Sequence, residues 1–496
     1  MKLLSAQQIH QWDAYTIEHE PIFSIGLMER AAAKCTDFIL EHNLTTHTIK
    51  IFCGKGNNGG DGLAIARQLI EAGFQPAVYI LEFGARGTDD FQANLHRLHQ
   101  ATADIYFIQT AEFIPAIIKD DLVIDALFGS GLNRPLVDLS AQLVKHINSA
   151  GATVVAIDVP SGMYVDKSCK GETVIKATYT LTFQLTKLCF LLAENAELFG
   201  KVYVPDIGLL PGFLQSAETT FQLAEKQQIA ALIKPRNAFA HKGAYGHSLL
   251  IAGNKGKMGA ALLCARACLR SGAGLVTLNV PETSLNIVQT ALPEAMCSIR
   301  DEDIEWDKFT TIGIGPGLGT QKDAAHLLKQ VLDNFKKPVV IDADAINILS
   351  ENKDWLQLVP EGSVITPHPK EFERLFGKFT NEMDRVHKAV ELSGHHTFTI
   401  ILKGHHTLVA NKGNGWFNTT GNAGLAKGGS GDILTGIITA FLSQGYSGQQ
   451  AAQCGVYLHG LTADLALQQQ SQESMLASDI IEHLGEAFYE VQDGNE

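Results

Sequence analysis

The stretch HTIKIFCGKGNNGGDGLAIARQLIEAG (47–73) reads as a buried β-strand that runs into a glycine turn and then opens a helix. In such a turn glycines let backbone N–H groups approach a phosphate, and the helix N-terminus adds a favourable potential. No Lys-Ser or Lys-Thr pair closes the turn, so it is not a nucleotide phosphate loop of the GxxxxGK[ST] kind. Asn57, Asn58 and Asp61 make it more specific than a bare glycine turn, because they add three polar side chains at one strand end. Working outward, strand candidates follow at 77–83, 103–108, 122–128, 153–160 and 178–184, separated by helical stretches. That alternation predicts parallel βαβ units. Two of these strands also end in polar loops. LVIDALFGSGLNRP (122–135) places Asp125 before the Gly129–Pro135 loop, and VVAIDVPSG (154–162) carries Asp158 and Ser161. Loops at the carboxyl ends of neighbouring parallel strands converge on one crevice. Asn58, Asp125 and Ser161 would present hard oxygen ligands there, suited to an alkali or alkaline-earth cation.

The Gly/Pro-rich run VYVPDIGLLPG (202–212) ends this block, and a mixed polar segment follows over 213–235. The domain boundary is expected near 222. The second half then restarts with the strand GHSLLIAGN (246–254) and the Ala/Leu-rich helix MGAALLCARACLRSGAG (258–274). Further strands end in the glycine loop of IGIGPGLG (312–319), in ITPHPKEF and in ILKGHHT. NTTGNAGLAKGGSGD (418–432) leads directly into an apolar helix. Gly428, Gly429 and Gly431 would offer backbone donors to a nucleotide phosphate at that helix start. Asp432, just inside the helix, is placed to take a proton from a substrate hydroxyl as phosphoryl arrives. Simple capping by Ser430 or Asp432 would need fewer glycines.

With 496 residues the chain exceeds what one hydrophobic core holds, so two or three domains are expected. The formal charge of -14, without a basic stripe, argues against nucleic acid and anionic membrane as partners. Eight cysteines without a CxxC pair argue against a zinc site or disulfide framework and favour a reducing compartment. The N-terminal MKLLSAQQIHQWD lacks the apolar core of a signal peptide, and no run of about 18 apolar residues occurs. A cytoplasmic protein is therefore expected.

GNNGGDG, DALFGSGL and DVPSG, in that order, resemble the NAD(P)H-hydrate epimerase domain. HKGAYGHSLLIAGNKGKMGAA, GIGPGLG, DADAINIL, TPHPKEF, ILKGHHT and NTTGNAGLAKGGSGD resemble the ADP-dependent NAD(P)H-hydrate dehydratases. The resemblance implies an α/β chain: a Rossmann-like three-layer domain over 1–222, then a ribokinase-like domain over 223–496. It also implies repair of NADH and NADPH hydrated at the 5,6 double bond of the nicotinamide ring. The first domain would interconvert the R and S hydrates. The second would dehydrate the S form with ADP, releasing AMP and phosphate.

Carried over by position, Asn57, Asn58, Gly59, Gly60 and Asp61 would bind the hydrate's phosphates and ribose. Gly129, Ser130, Gly131, Leu132, Asn133, Arg134 and Pro135 would share that task. Asp158 would contact the ring as acid or base, with Lys187 as its partner, and Asn58, Asp125 and Ser161 would bind K⁺. Ala260, Gly317, His368 and Asp432 would line the dehydratase pocket. Lys403, Gly404, His405, His406, Thr407 and Gly431 would hold the adenosine nucleotide, which arrives with Mg²⁺. A homo-oligomer is expected. A sugar or vitamin kinase would share the Gly-Ser-Gly-Asp loop, but the attached first domain argues against it. A first domain reduced to a binding module is opposed by Asp125, Asp158 and Ser161. An NAD-dependent dehydrogenase is a weaker alternative.

Overall fold

The computed structural model describes residues 1–101 and 104–492. They divide into two compact units, one spanning Lys2–Thr219 and the other Thr220–Thr380 with Asp384–Glu496. The expected division at 222/223 would cut a strand, Phe221–Leu223, that pairs within the second unit's sheet. The polar stretch 213–235 is correspondingly less irregular than its composition suggests, since it also carries the helices Gly212–Ser216 and Lys226–Leu232.

In the first unit seven strands form one parallel sheet: β1 (Ile49–Cys53), β2 (Ala77–Leu81), β3 (Ile105–Ile108), β4 (Leu122–Ala126), β5 (Thr153–Ile157), β6 (Tyr179–Leu181) and β7 (Lys201–Tyr203). Ala103, the first residue of the strand expected at 103–108, lies outside the described residues. The spatial order is β3-β2-β1-β4-β5-β6-β7. The order reverses between β1 and β4, and the loops leaving those two strands diverge to form a crevice. Alternate side chains explain the layering. Ile51 and Cys53 enter one buried cluster with the helices Ser24–Glu41 and Asn57–Glu71, whereas Phe52 and Val123 enter another with the helix Asp138–Ala150. Gly54 is required where these loops meet, because a Cβ there would lie 1.9 Å from the Leu127 carbonyl oxygen.

The second unit is built on β8 (Phe221–Leu223), β9 (His247–Ile251), β10 (Leu275–Val280), β11 (Met296–Ile299), β12 (Thr311–Ile314), β13 (Val339–Ile341), β14 (Val364–Ile365), β15 (Thr399–Leu402), β16 (Leu408–Asn411) and β17 (Asn414–Phe417). They run in the order β8-β17-β16-β15-β14-β13-β12-β9-β10-β11. Pairing from β11 to β15 is parallel, while β15, β16 and β17 make an antiparallel meander. The reversal lies at β9, so the loops after β9 and β12 flank this unit's crevice. Helix Ser430–Ser443 packs on helix Met258–Arg270 so closely that a Cβ on Gly436 would come within 2.1 Å of the Cys264 carbonyl oxygen. Cys264 and Cys268 are fully buried in that contact, as the Ala-rich sequence suggests. Among the described residues no helix is long and apolar enough to cross a membrane.

Candidate active sites

The crevice at the first reversal is a cavity of about 730 Å³. Asn57, Asn58, Asp61, Gly129, Ser130, Gly131, Leu132, Asn133, Arg134 and Asp158 line it together. Gly59, Gly60 and Pro135, expected among them, do not. A Cβ on Gly59 would overlap the Gly54 carbonyl oxygen and one on Gly60 would press on Met28 Sδ, so these two glycines serve packing behind the wall.

Asp158 sits just past β5 in the left-handed backbone region, at φ +69°, which Asp tolerates better than most residues. Its Oδ1 lies 2.9 Å from Lys187 Nζ, and its Oδ2 accepts the Ser130 N–H at 2.9 Å. Burial opposes its charge, but the Lys187 ammonium and the Ser130 donor prevail and hold the carboxyl below the usual carboxylate range. Lys187 is only 1% exposed and has Asp158 as its ion-pair partner.

Sequence reasoning missed Asp13. It lines the same cavity from the helix Ala6–His19, next to the buried Trp12, and burial together with Asp158 pushes its carboxyl up to about 7. Asp61 is held well above the usual range by burial, then by Asp158 and Asp13. A carboxylate flanked by Trp12 and Thr16, both buried, was the one available signal for Asp13.

Asp125 and Ser161 meet as expected. Ser161 Oγ lies 2.6 Å from Asp125 Oδ1, and the Ser161 N–H donates to Oδ2 at 2.8 Å. Asp125 is fully buried, and burial raises it to about 6 against hydrogen bonds from Ser161 and Leu127. Both polar atoms of the buried Asn58 carboxamide have no hydrogen-bond partner. An anionic oxygen without a counter-charge and an orphaned amide oxygen suit a weakly demanding monovalent cation.

In the second unit, Asp342 at the end of β13 accepts Lys403 Nζ at 2.8 Å and Thr435 Oγ1 at 2.7 Å. Gly431 lies against this pair: a Cβ there would be 3.7 Å from Lys403 Nζ and 3.8 Å from Asp342 Oδ2. The Lys403 and Thr435 contacts overcome burial and keep Asp342 below its ordinary value. Asp432, in the first turn after Gly429, is raised to about 6 by burial and by Asp342, with Lys403 opposing. Asp344 accepts the Gly319 N–H at 2.7 Å and so ties the loop after β12 to the same segment. Within that loop Gly317, at φ +61°, faces Ala260, with 3.0 Å between an added Cβ and the Ala260 Cβ. The structure thus joins Ala260 to Gly317 and Gly431 to Lys403. The sequence reading quoted DADAINIL as a motif without giving Asp342 or Asp344 a task.

His368, expected to line the dehydratase pocket, has a structural task as well. It is the N-cap of the helix Pro369–Phe376, with Nδ1 accepting the Lys370 and Glu371 N–H groups at 3.1 and 3.3 Å. Burial and then Lys403 lower its pKa, so the ring is neutral beside the ammonium. Gly404–Thr407 form the exposed β15–β16 turn, closed by Thr407 Oγ1 on the Gly404 carbonyl at 3.0 Å. His406 bonds the Asn418 carbonyl at 3.2 Å, and His405 stacks edge-on against it.

Comparison with known proteins matches residues 24–189 to the family described as YjeF-related protein N-terminus, and 248–486 to NAD(P)H-hydrate dehydratase. The bifunctional NAD(P)H-hydrate repair enzyme of Moorella thermoacetica is 34% identical over 98% of this chain and 96% of its own length. That of Coxiella burnetii is 35% identical over 97% and 98%. A ribokinase-like superfamily protein from Enterococcus faecalis is 30% identical with a TM-score of 0.51, over 56% of this chain and 98% of its own. A Bacillus subtilis ADP/ATP-dependent NAD(P)H-hydrate dehydratase, co-crystallised with ATP and Mg²⁺, is 32% identical over 54% and 98%, with a TM-score of 0.49. With identity of this order sustained across both units, the chain belongs to the bifunctional NAD(P)H-hydrate repair enzyme family.

Proposed function

We propose that the two units act on one damaged nucleotide, the first interconverting the R and S hydrates of NADH and NADPH and the second dehydrating the S form with ADP. The near-full-length kinship with bifunctional repair enzymes carries this reading. Each crevice also holds a carboxyl group suited to the step assigned to it.

In the second unit Asp432 takes the proton of the ring hydroxyl as that oxygen attacks the β-phosphorus of ADP. AMP departs. The ring hydroxyl, a poor leaving group as hydroxide, leaves as phosphate, and loss of the neighbouring C–H proton restores the dihydropyridine. The Gly428–Gly431 N–H groups and Lys403 meet the developing phosphoryl charge. Mg²⁺ bound to ADP would supply positive charge at its phosphates. Lys403, Gly404, His405, His406, Thr407 and Gly431 hold the nucleotide, and Ala260, Gly317 and the Nε2 side of His368 border the hydrated ring. In the first unit Asn57, Asn58 and Asp61 with Gly129–Arg134 hold the hydrate's phosphates and ribose, and Asp158 handles a proton at the ring.

Asn58, Asp125 and Ser161 would hold K⁺, which when bound supplies positive charge beside the phosphate-binding loops. The orphaned Asn58 oxygen and the uncompensated Asp125 support that assignment. The reading places the protein in the cytoplasm as an assembly of identical chains, in keeping with eight free cysteines, seven of them buried.

The test is to give the protein mixed R and S hydrates of NADH with K⁺ and Mg²⁺ and follow NADH absorbance. ADP-dependent recovery beyond the S fraction, faster than spontaneous epimerisation, is expected. Absence of recovery with ADP or ATP would overturn the reading.

A further inference from the structure

We propose that Asp13 is a second catalytic residue of the epimerase site, the acid that protonates the departing ring hydroxyl while Asp158 serves as the base. This rests on the assignment of epimerisation to the first unit. Three cavity carboxyl groups, Asp13, Asp61 and Asp158, share a single buried ammonium, Lys187. Lys187 is committed to Asp158 at 2.9 Å, so among the described residues the other two carboxyl groups have no ion-pair partner of their own and favour their protonated forms. Two carboxyl groups pushed in opposite directions within one cavity divide into an acid and a base.

Asp13 and Asp61 differ in their surroundings. Asp13 feels Lys187, which opposes burial and Asp158 and leaves its carboxyl at about 7, able to give up a proton near neutrality. Asp61, pressed by burial and by Asp158, Asp13 and Asp90, is held well above its ordinary range and keeps its proton. Asp13 also reaches the cavity from the helix Ala6–His19, whereas Asp158 stands at a strand end, so the two carboxyl groups belong to different walls. The remaining titratable groups lining the cavity are His10, on Asp13's own helix, and Arg134, in the loop after β4.

The chemistry needs two such groups. Hydration of an enamine places the proton on the β carbon and the hydroxyl on the carbon beside nitrogen, here C6 next to N1. The Asp13 carboxyl gives its proton to the C6 hydroxyl, the C6–O bond breaks and water leaves. The N1 lone pair forms a C6=N1 iminium bond. Water then returns on the other face, a C6–O bond forms, and the Asp158 carboxylate takes the released proton. One proton has passed from Asp13 to Asp158, and exchange with solvent resets the pair. No electrons are transferred to or from the ring.

The test compares wild type with Asp13→Asn by separating the R and S hydrates over time between pH 5.5 and 9, with dehydration of pure S hydrate as the control for an intact chain. The wild-type epimerisation rate is expected to fall above about pH 7, where the acid form is lost. In Asp13→Asn, kcat is expected to drop by about 100-fold or more, with KM within about threefold and no alkaline limb in the residual rate. A kcat within about threefold of wild type, or a residual rate with the same alkaline limb, would overturn the assignment. If Asp13→Asn also loses hydrate binding, Asp13→Glu replaces it, and an alkaline limb unmoved from that of wild type is the overturning result. Failure of wild type to epimerise faster than buffer would instead overturn the function of the first unit.

Discussion

Each unit has a buried Asp–Lys pair at the carboxyl edge of its parallel sheet, Asp158–Lys187 at 2.9 Å and Asp342–Lys403 at 2.8 Å. Beside each pair stands a carboxyl group with no cation of its own: Asp13, raised to about 7, and Asp432, raised to about 6. The difference lies in which member does the chemistry. In the first unit, on the proposed roles, the paired Asp158 would act as a carboxylate and the unpaired Asp13 would hold the proton to be given. In the second, the paired Asp342 anchors Lys403 and Thr435, and the unpaired Asp432 would be the group that accepts a proton. The same Asp–Lys pairing at a strand end is thus compatible with two different roles for its carboxylate.

The comparison breaks most visibly at Asp432. Asp432→Asn is expected to cut dehydration of the S hydrate by about 10³-fold or more while leaving R/S interconversion at the wild-type rate. Retained dehydration in a single-turnover assay would move the base elsewhere.

Removing the cation of the first pair tests the other arm. Lys187→Met leaves Asp158 buried without its partner, which is expected to cost the first unit about 3–5 kcal/mol. Epimerisation is expected to fall by about 100-fold or more, and denaturant unfolding followed on the first unit gives the stability term. Unchanged stability would mean that the pair is solvated in solution.

The pH profiles sharpen the contrast, because the signs oppose. Asp432 acts ionised, so dehydration should rise about tenfold per pH unit up to about pH 6 and then level. Asp13 acts protonated, so epimerisation should decline above about pH 7. Parallel profiles from one preparation would refute the division of roles.

The smallest effect is expected from the cation site. Exchanging K⁺ for tetramethylammonium should lower the stability of the first unit by about 1–3 kcal/mol, read as a fall in its unfolding midpoint, with no change in the second unit. Asp125→Asn should abolish that difference.

The sequence exposes the strand-end motifs because their chemistry is local. A glycine turn or an Asp followed by Val-Pro-Ser-Gly declares its loop within about ten residues, and parallel topology then brings such loops together. What it hides depends on distant neighbours. Asp13 stands in a helix that precedes every strand of the sheet in sequence and looks like an ordinary charged helical position. Lys187 pairs with a residue 29 positions away, so the family resemblance names it where its local sequence carries no sign of the pairing. His368 shows the converse: between two prolines it resembles an aimed imidazole, yet its Nδ1 completes a helix cap. ILKGHHT reads as a strand ending in a loop, whereas the antiparallel return through β16 and β17 shows only in the structure.

The left-handed backbone at Asp158 has an evolutionary corollary. From an aspartate codon one base change reaches Asn or Gly, the residues that most readily accept such a conformation. The backbone at this position can therefore accept the loss of that charge, and the obstacle is Lys187, which would be left buried without its partner. A folded hydrate-binding module without turnover would need a second change, at Lys187.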